Sequence, residues 1–211
     1  PTPPPPPPHP TRQSSSAASD VYKRQALYGK AGSLIDSFQL GLRLPNTAPV
    51  GACFTAFSPA KYLEAWLTRA HESRGGYNER LDQKLRVAVI AIRARGFEVT
   101  LKTKAEDALT QELSRIHNSW SLTELEDAAN AYQHDLCDEY FHLDRIDPKA
   151  RYEISTISVP VFVYGDVPVM CFVAGSFDKP VTGARIEEIA AQMKAAADRV
   201  TALASGREKI S

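Results

Sequence analysis

A chain of 211 residues, 43% of them hydrophobic, is long enough to bury the core of one full domain. Its 25 basic and 25 acidic side chains cancel, so no overall positive field marks it as a free-standing nucleic-acid binder. No stretch approaches the ~18 consecutive apolar residues of a membrane span, and three widely spaced cysteines, Cys53, Cys137 and Cys171, fit a reduced cytoplasmic protein better than a disulfide framework.

Residues 1–25 are expected to stand outside the fold. The proline run favours polyproline II, and the Ser/Ala stretch that follows has no periodicity. The string Ser15 to Gln25 reads as translated adaptor sequence joined to the chain, with a disordered proline-rich segment as the alternative. The domain then runs over 26–211. Phe38, Leu40, Leu42 and Leu44 alternate with polar or small residues and predict a strand. Pro45 and Pro49 hold an extended loop, and a short helix begins near Gly51.

Ser58-Pro59 predicts an N-cap followed by proline at the first helical position. The helix beyond it carries Tyr62, Leu63, Trp66, Leu67 and Ala70 on one side. Asn78 caps a helix that turns Leu81, Leu85, Val89 and Ile92 inward, and Gly96 ends it. Phe97, Val99 and Leu101 alternate as a strand. Ser121-Leu122-Thr123-Glu124 has capping-box spacing and opens a helix with Leu122, Leu125, Ala129, Tyr132, Leu136 and Tyr140 on a common side. Asp147-Pro148 then breaks the chain.

The last third is the most regular. Ile157, Val159, Val161 and Val163 alternate as a strand, Tyr164-Gly165-Asp166 supplies a turn, and Val167 to Val173 returns as a second apolar strand. After a loop over Gly175 to Pro180, Thr182 is the expected N-cap of a helix reaching Ser205, with Gly206 as its stop. Ile186, Ile189, Met193, Ala196, Val200 and Leu203 form its apolar stripe, opposite Glu187, Lys194, Asp198 and Arg199. Strand, helices, strand, helices, hairpin and helix make an α+β pattern with an antiparallel sheet.

Three landmarks occur in order between Leu34 and Gly206. They are Arg43-Leu44-Pro45 leading through Pro49-Val50 to Gly51-Ala52; Ile92-Arg93-Ala94-Arg95-Gly96-Phe97 at a helix end; and Ile157-Ser158-Val159-Pro160-Val161-Phe162 with the strand Val169 to Ala174, Gly175 and the helix Thr182 to Ala204. In this the chain resembles the effector-binding domain of IclR-type bacterial transcriptional regulators. The resemblance implies a GAF-like antiparallel sheet flanked by helices, a homodimer or tetramer, and a small-molecule effector whose binding modulates transcription. It implies no cofactor and no catalysis. The family reaches DNA through a winged helix-turn-helix ahead of this domain. No such segment is read here, and DNA binding by these residues alone is not expected.

In the family the effector lies between the helix start at the conserved-pattern glycine and polar residues of the final hairpin. Carried over residue by residue, those positions are Gly51, Ala52, Cys53, Thr156, Phe172 and Ala174. A helix start at Gly51 would offer amides and the positive end of a dipole to a carboxylate. Phe172 and Ala174 stand where the family often has serines, which shifts the expected effector towards an aromatic or otherwise apolar acid, unless both are simply core residues.

Two other classes are carried alongside. Cys53 near a helix start would suit a GAF-like enzyme or redox sensor, although no histidine is tied to it by a motif. His134, Asp138 and His142 at four-residue spacing would stack on one helix face as metal ligands, but no distant second ligand pair accompanies them, and a solvated face accounts equally well for the spacing.

Overall fold

In a computed structural model of the chain, the described residues are 22–23, 44–116, 122–162, 165–175 and 177–205. Most of the predicted strand Phe38 to Leu44, the cap residue Ser121, the strand residue Val163, the turn residue Tyr164, and Gly206 fall outside them.

A two-residue strand β1 (Tyr22–Lys23) pairs antiparallel with β2 (Leu44–Pro45). Part of the segment set apart in the sequence therefore pairs with the start of the domain. Such pairing uses only backbone N–H and C=O groups and leaves no side-chain periodicity to read.

Three helices follow: α1 (Ala52–Ala56), α2 (Ala60–Ser73) and α3 (Glu79–Arg95). Gly51, with φ +82°, opens α1. This left-handed conformation is what favours glycine here, and a Cβ would also meet the end of the Asn46 side chain, 2.4 Å from its Oδ1. The start of α2 differs from expectation by one residue: Pro59 is the cap, and the Ser58 hydroxyl instead donates to the Phe54 carbonyl at 2.9 Å. Trp66, Leu67 and Ala70 are buried from this helix, while Tyr62 is 40% exposed. The Trp66 indole donates to the Val50 carbonyl at 2.8 Å, fixing the loop before α1.

At α3 the local signals hold. Asn78 Oδ1 accepts from the Leu81 N–H at 3.0 Å, and Gly96 (φ +84°) donates its N–H to Ile92 at 2.8 Å. Leu81, Leu85, Val89 and Ile92 join Trp66, Leu67 and Phe141 in one core. Each such side chain contributes about 1.5–3 kcal/mol on full burial.

Strand β3 (Glu98–Leu101) leads into α4 (Lys104–Ile116), which the sequence reading did not single out. Its start is capped by Thr103, whose Oγ1 accepts from the Glu106 N–H at 3.2 Å. The following helix, α5 (Leu122–Leu136), is shorter than its apolar spacing suggested, and Tyr140 lies beyond it, 60% exposed.

The remainder comprises β4 (Arg151–Tyr152), β5 (Ile154–Val161), β6 (Met170–Ala174), β7 (Val181–Thr182) and α6 (Gly183–Ala204). β4 pairs with β7, and the main sheet is antiparallel in the order β3-β5-β6. The fold is thus α+β with an antiparallel sheet. Pro160 is tolerated on the central strand because β3 reaches only as far as Ser158, so Pro160 meets β6 alone.

Register decides the two faces of this sheet. Val99 is opposite Ile157, Ile157 opposite Ala174, and Val159 opposite Phe172. With Val161, these residues face α6, where Ile186, Ala190 and Ala197 are buried. The apolar stripe of α6 thus runs through Ala190 and Ala197. Ala196 is exposed, as is Leu203 at 39%. Thr182 caps α6 as expected, accepting from the Arg185 N–H at 3.3 Å.

Candidate functional site: the polar face of the sheet

Because side chains alternate along a strand, the other face of the same sheet carries Glu98, Thr100, Thr156, Ser158 and Cys171. Those on β3 and β5 meet across the strands: Glu98 is opposite Ser158, and Thr100 is opposite Thr156, with their hydroxyls 2.6 Å apart. Such a face would ordinarily be solvated. Here α1 packs over β5 and β6, and Glu98 and Ser158 are each only 8% exposed.

The centre of this buried polar layer is Glu98. Its Oε2 accepts from the backbone N–H of Cys53 at 3.1 Å, and its Oε1 lies 3.4 Å from His142 Nε2. Burial pushes the Glu98 carboxyl up to about 7, against the opposing pull of the Cys53 N–H and the Arg95 charge. Burial, reinforced by the charges of Arg95 and Lys84, holds the His142 imidazole down at about 3. The ring is therefore neutral at pH 7, and neither of its buried nitrogens makes a hydrogen bond. The Val99 carbonyl favours the charged ring and offsets only part of this lowering.

Around this pair stand further ionisable and polar groups. Arg95 donates to the carbonyls of Phe97, at 2.8 Å, and Leu143, leaving Nη2 buried and unpartnered. Ser155 donates to Glu106 Oε1 at 2.7 Å, and burial raises the Glu106 carboxyl. Burial, with Glu106, Glu98 and Glu139 nearby, pushes the Tyr132 phenol well above its ordinary range. The Tyr132 ring itself packs against the core formed by α2 and α3.

The six residues singled out in the sequence divide between the two faces. Gly51, Ala52 and Cys53 lie at the start of α1, over the polar face, and Thr156 is on that face. Phe172 and Ala174 point the other way: Phe172 packs in the core under α6, and Ala174 is opposite Ile157. The six do not line one space. The amide expected to receive an effector carboxylate is also already used, because Cys53 N–H binds the protein's own Glu98.

The metal grouping is not formed. It required a helix continuing through residue 142, but α5 ends at Leu136. His134 is exposed, Asp138 pairs with Arg74 at 2.7 Å, and His142 is buried beside the sheet, bridged to Thr100. Among the described residues no group of three His, Cys, Asp or Glu side chains is placed to hold a metal ion.

Glu98 and His142 were the residues that sequence reading missed as a pair. The alternation Phe97, Val99, Leu101 assigns Glu98 to the outer side of its strand, and only a helix arriving from another part of the chain turns that side into an interior. Compared with known proteins, the chain matches no family model, no curated protein and no solved structure. Among the described residues no helix is long and apolar enough to cross a membrane.

Proposed function

We propose that this chain is a ligand-sensing domain of the IclR type, with a GAF-like architecture, which binds a small organic acid on the polar face of β3-β5-β6. The observation that carries the reading is His142, a buried imidazole whose nitrogens complete no well-formed hydrogen bond although Nε2 lies 3.4 Å from the Glu98 carboxyl. Buried polar groups without partners cost about 1–3 kcal/mol each, and a bound molecule with hydroxyl or carboxyl oxygens would relieve that cost. An aromatic acid stays the favoured class in this reading on the family resemblance alone, since Phe172 faces the opposite side of the sheet.

Sensing is favoured over catalysis by the state of the nucleophile. The Cys171 thiol and burial push the Cys53 thiol well above its ordinary range, so little thiolate is present at neutral pH. In the sensing reading the protein is a cytoplasmic homodimer or tetramer without a cofactor. An effector that prefers one arrangement of subunits shifts their population, and an attached DNA-binding domain reads the shift.

The test is a thermal-shift screen of aromatic acids against glyoxylate-sized acids at pH 6 and pH 8, on the full chain and on Thr156→Val and Glu98→Gln variants. Aromatic acids should stabilise most, and more at pH 6, where a protonated Glu98 does not repel a carboxylate. The Phe172→Ser variant, altered on the opposite face, should lose stability while keeping the ligand ranking. If ligand stabilisation is indifferent to both polar-face variants but altered by Phe172→Ser, the ligand sits elsewhere.

A further inference from the structure

Cys53 and Cys171 come from residues 118 positions apart in the chain, yet they meet on the polar face. The Cys53 thiol lies 3.7 Å from the Ser158 carbonyl on β5. Cys171 is opposite Pro160, two residues along β5 from Ser158, so it is the diagonal neighbour of the strand position that Cys53 covers. Helix α1 packs against both β5 and β6, which brings the Cys53 thiol over the part of the sheet that carries Cys171, and the Cys171 thiol is the largest influence on its proton affinity. Both are free, Cys53 buried and Cys171 half-buried.

We infer that Cys53 and Cys171 are a reversible dithiol–disulfide pair that fastens α1 to the edge strand β6 under oxidation by a peroxide. This stands on the pair itself and holds whether or not the sheet binds an effector. Cys171, the more accessible of the two, is the thiol that meets the oxidant. Its sulfur attacks one oxygen of the peroxide O–O bond, giving a sulfenic acid and releasing the other oxygen as alcohol or water. Cys53 sulfur then displaces the sulfenic hydroxyl, forming the S–S bond and releasing water. The two thiols together lose two protons and two electrons, and the peroxide is the species reduced. The raised affinity of Cys53 for its proton makes it a poor first target, and its place beside Cys171 gives it the second, resolving step. A thiol reductant reverses the reaction by exchange.

Cys137 provides an internal control. It is buried in the other core, with its thiol towards the Ala48 carbonyl at 3.9 Å and burial raising its proton affinity. The experiment treats the full chain with hydrogen peroxide, alkylates it under denaturing conditions, and counts thiols before and after reduction. The expected result is loss of two of the three thiols, a Cys53–Cys171 linkage in the non-reduced tryptic map, and full recovery with dithiothreitol. Cys171→Ser should abolish the fast loss, whereas Cys53→Ser should leave Cys171 oxidised singly or joined to a second chain. Retention of three thiols at peroxide levels that oxidise a free cysteine peptide would overturn the inference. A linkage through Cys137 in the folded parent would do the same.

Discussion

The backbone N–H of Cys53 donates to Glu98 Oε2 at 3.1 Å, joining the first turn of α1 to a strand residue 45 positions away. A short helix of five residues has little intrinsic stability, since nucleation is costly and few internal bonds follow. Glu98 supplies what local sequence cannot: an acceptor, carrying negative charge when ionised, at the positive end of the helix. The same carboxyl meets His142 from the other side. One residue thus couples the helix covering the sheet to the loop beneath α5, and its protonation is felt at both.

Replacing Asn78 with alanine should lower stability by about 1 kcal/mol, the usual cost of deleting an N-cap acceptor. The bond at stake is the 3.0 Å contact from the Leu81 N–H, which Ser would largely restore. In a chain of this size the loss corresponds to a melting-temperature decrease of about 2–4 °C. Chemical denaturation should show a lower midpoint at unchanged slope. An unchanged midpoint for Asn78→Ala would mean that the start of α3 is held by its packing alone.

What could be read from the sequence follows from how far each signal reaches. Asn78, Gly96 and Thr182 act on their own helix ends, and each does what its residue type predicts. Thr103 and Glu106 gave a signal of the same kind for α4 that was present and overlooked, a threonine followed three residues later by an acid. The faces of β6 were harder. Phe172 and Ala174 could be assigned to a strand from composition, but which side they occupy depends on pairing with Val159 and Ile157. His142 was placed by helical spacing from His134, and the chain leaves the helix at Leu136, before that spacing can act. Glu98 is the clearest instance: it reads as the solvated side of a strand, and becomes interior only because α1 covers it.

Gly183→Ala should be destabilising by about 1–3 kcal/mol, the range for forcing extra volume into a packed site. Its backbone φ is not the reason. A Cβ at this position would lie 2.1 Å from the Asp147 carbonyl oxygen and 2.8 Å from Ile146 Cγ2, at the first turn of α6. The Gly183 and Ala184 amides donate to Ala150 and Pro148 at 2.9 and 3.0 Å, so the helix cannot retreat without breaking those bonds. Ala184→Gly, one residue on at an exposed position, should cost far less. Equal melting temperatures for Gly183→Ala and the parent would show that the approach to Asp147 relaxes freely.

The Glu98–His142 pair predicts opposite pH dependences in two single variants. Glu98 binds its proton more tightly in the fold, at about 7 against an ordinary 4.5. Its contribution is therefore most favourable below pH 4.5 and is lost as pH rises through 7. His142 binds its proton less tightly in the fold, at about 3 against 6.5, so its contribution is intact above pH 6.5 and is lost as pH falls towards 3. Each shift corresponds to an upper limit of about 3–5 kcal/mol over its whole window. Between pH 4.5 and 6.5 the two slopes oppose each other, and the parent should show little change from this pair. Removing His142 by His142→Gln leaves Glu98 unopposed, so the melting temperature should fall, relative to the parent, as pH is raised from 5 to 7.5. Removing the carboxylate by Glu98→Gln leaves the histidine unopposed, and the melting temperature should fall as pH is lowered from 6.5 to 4.5. Because the comparison is between variants at each pH, titration of the remaining surface groups cancels. Parallel pH profiles for the two variants would show that neither proton affinity is set by burial in this layer.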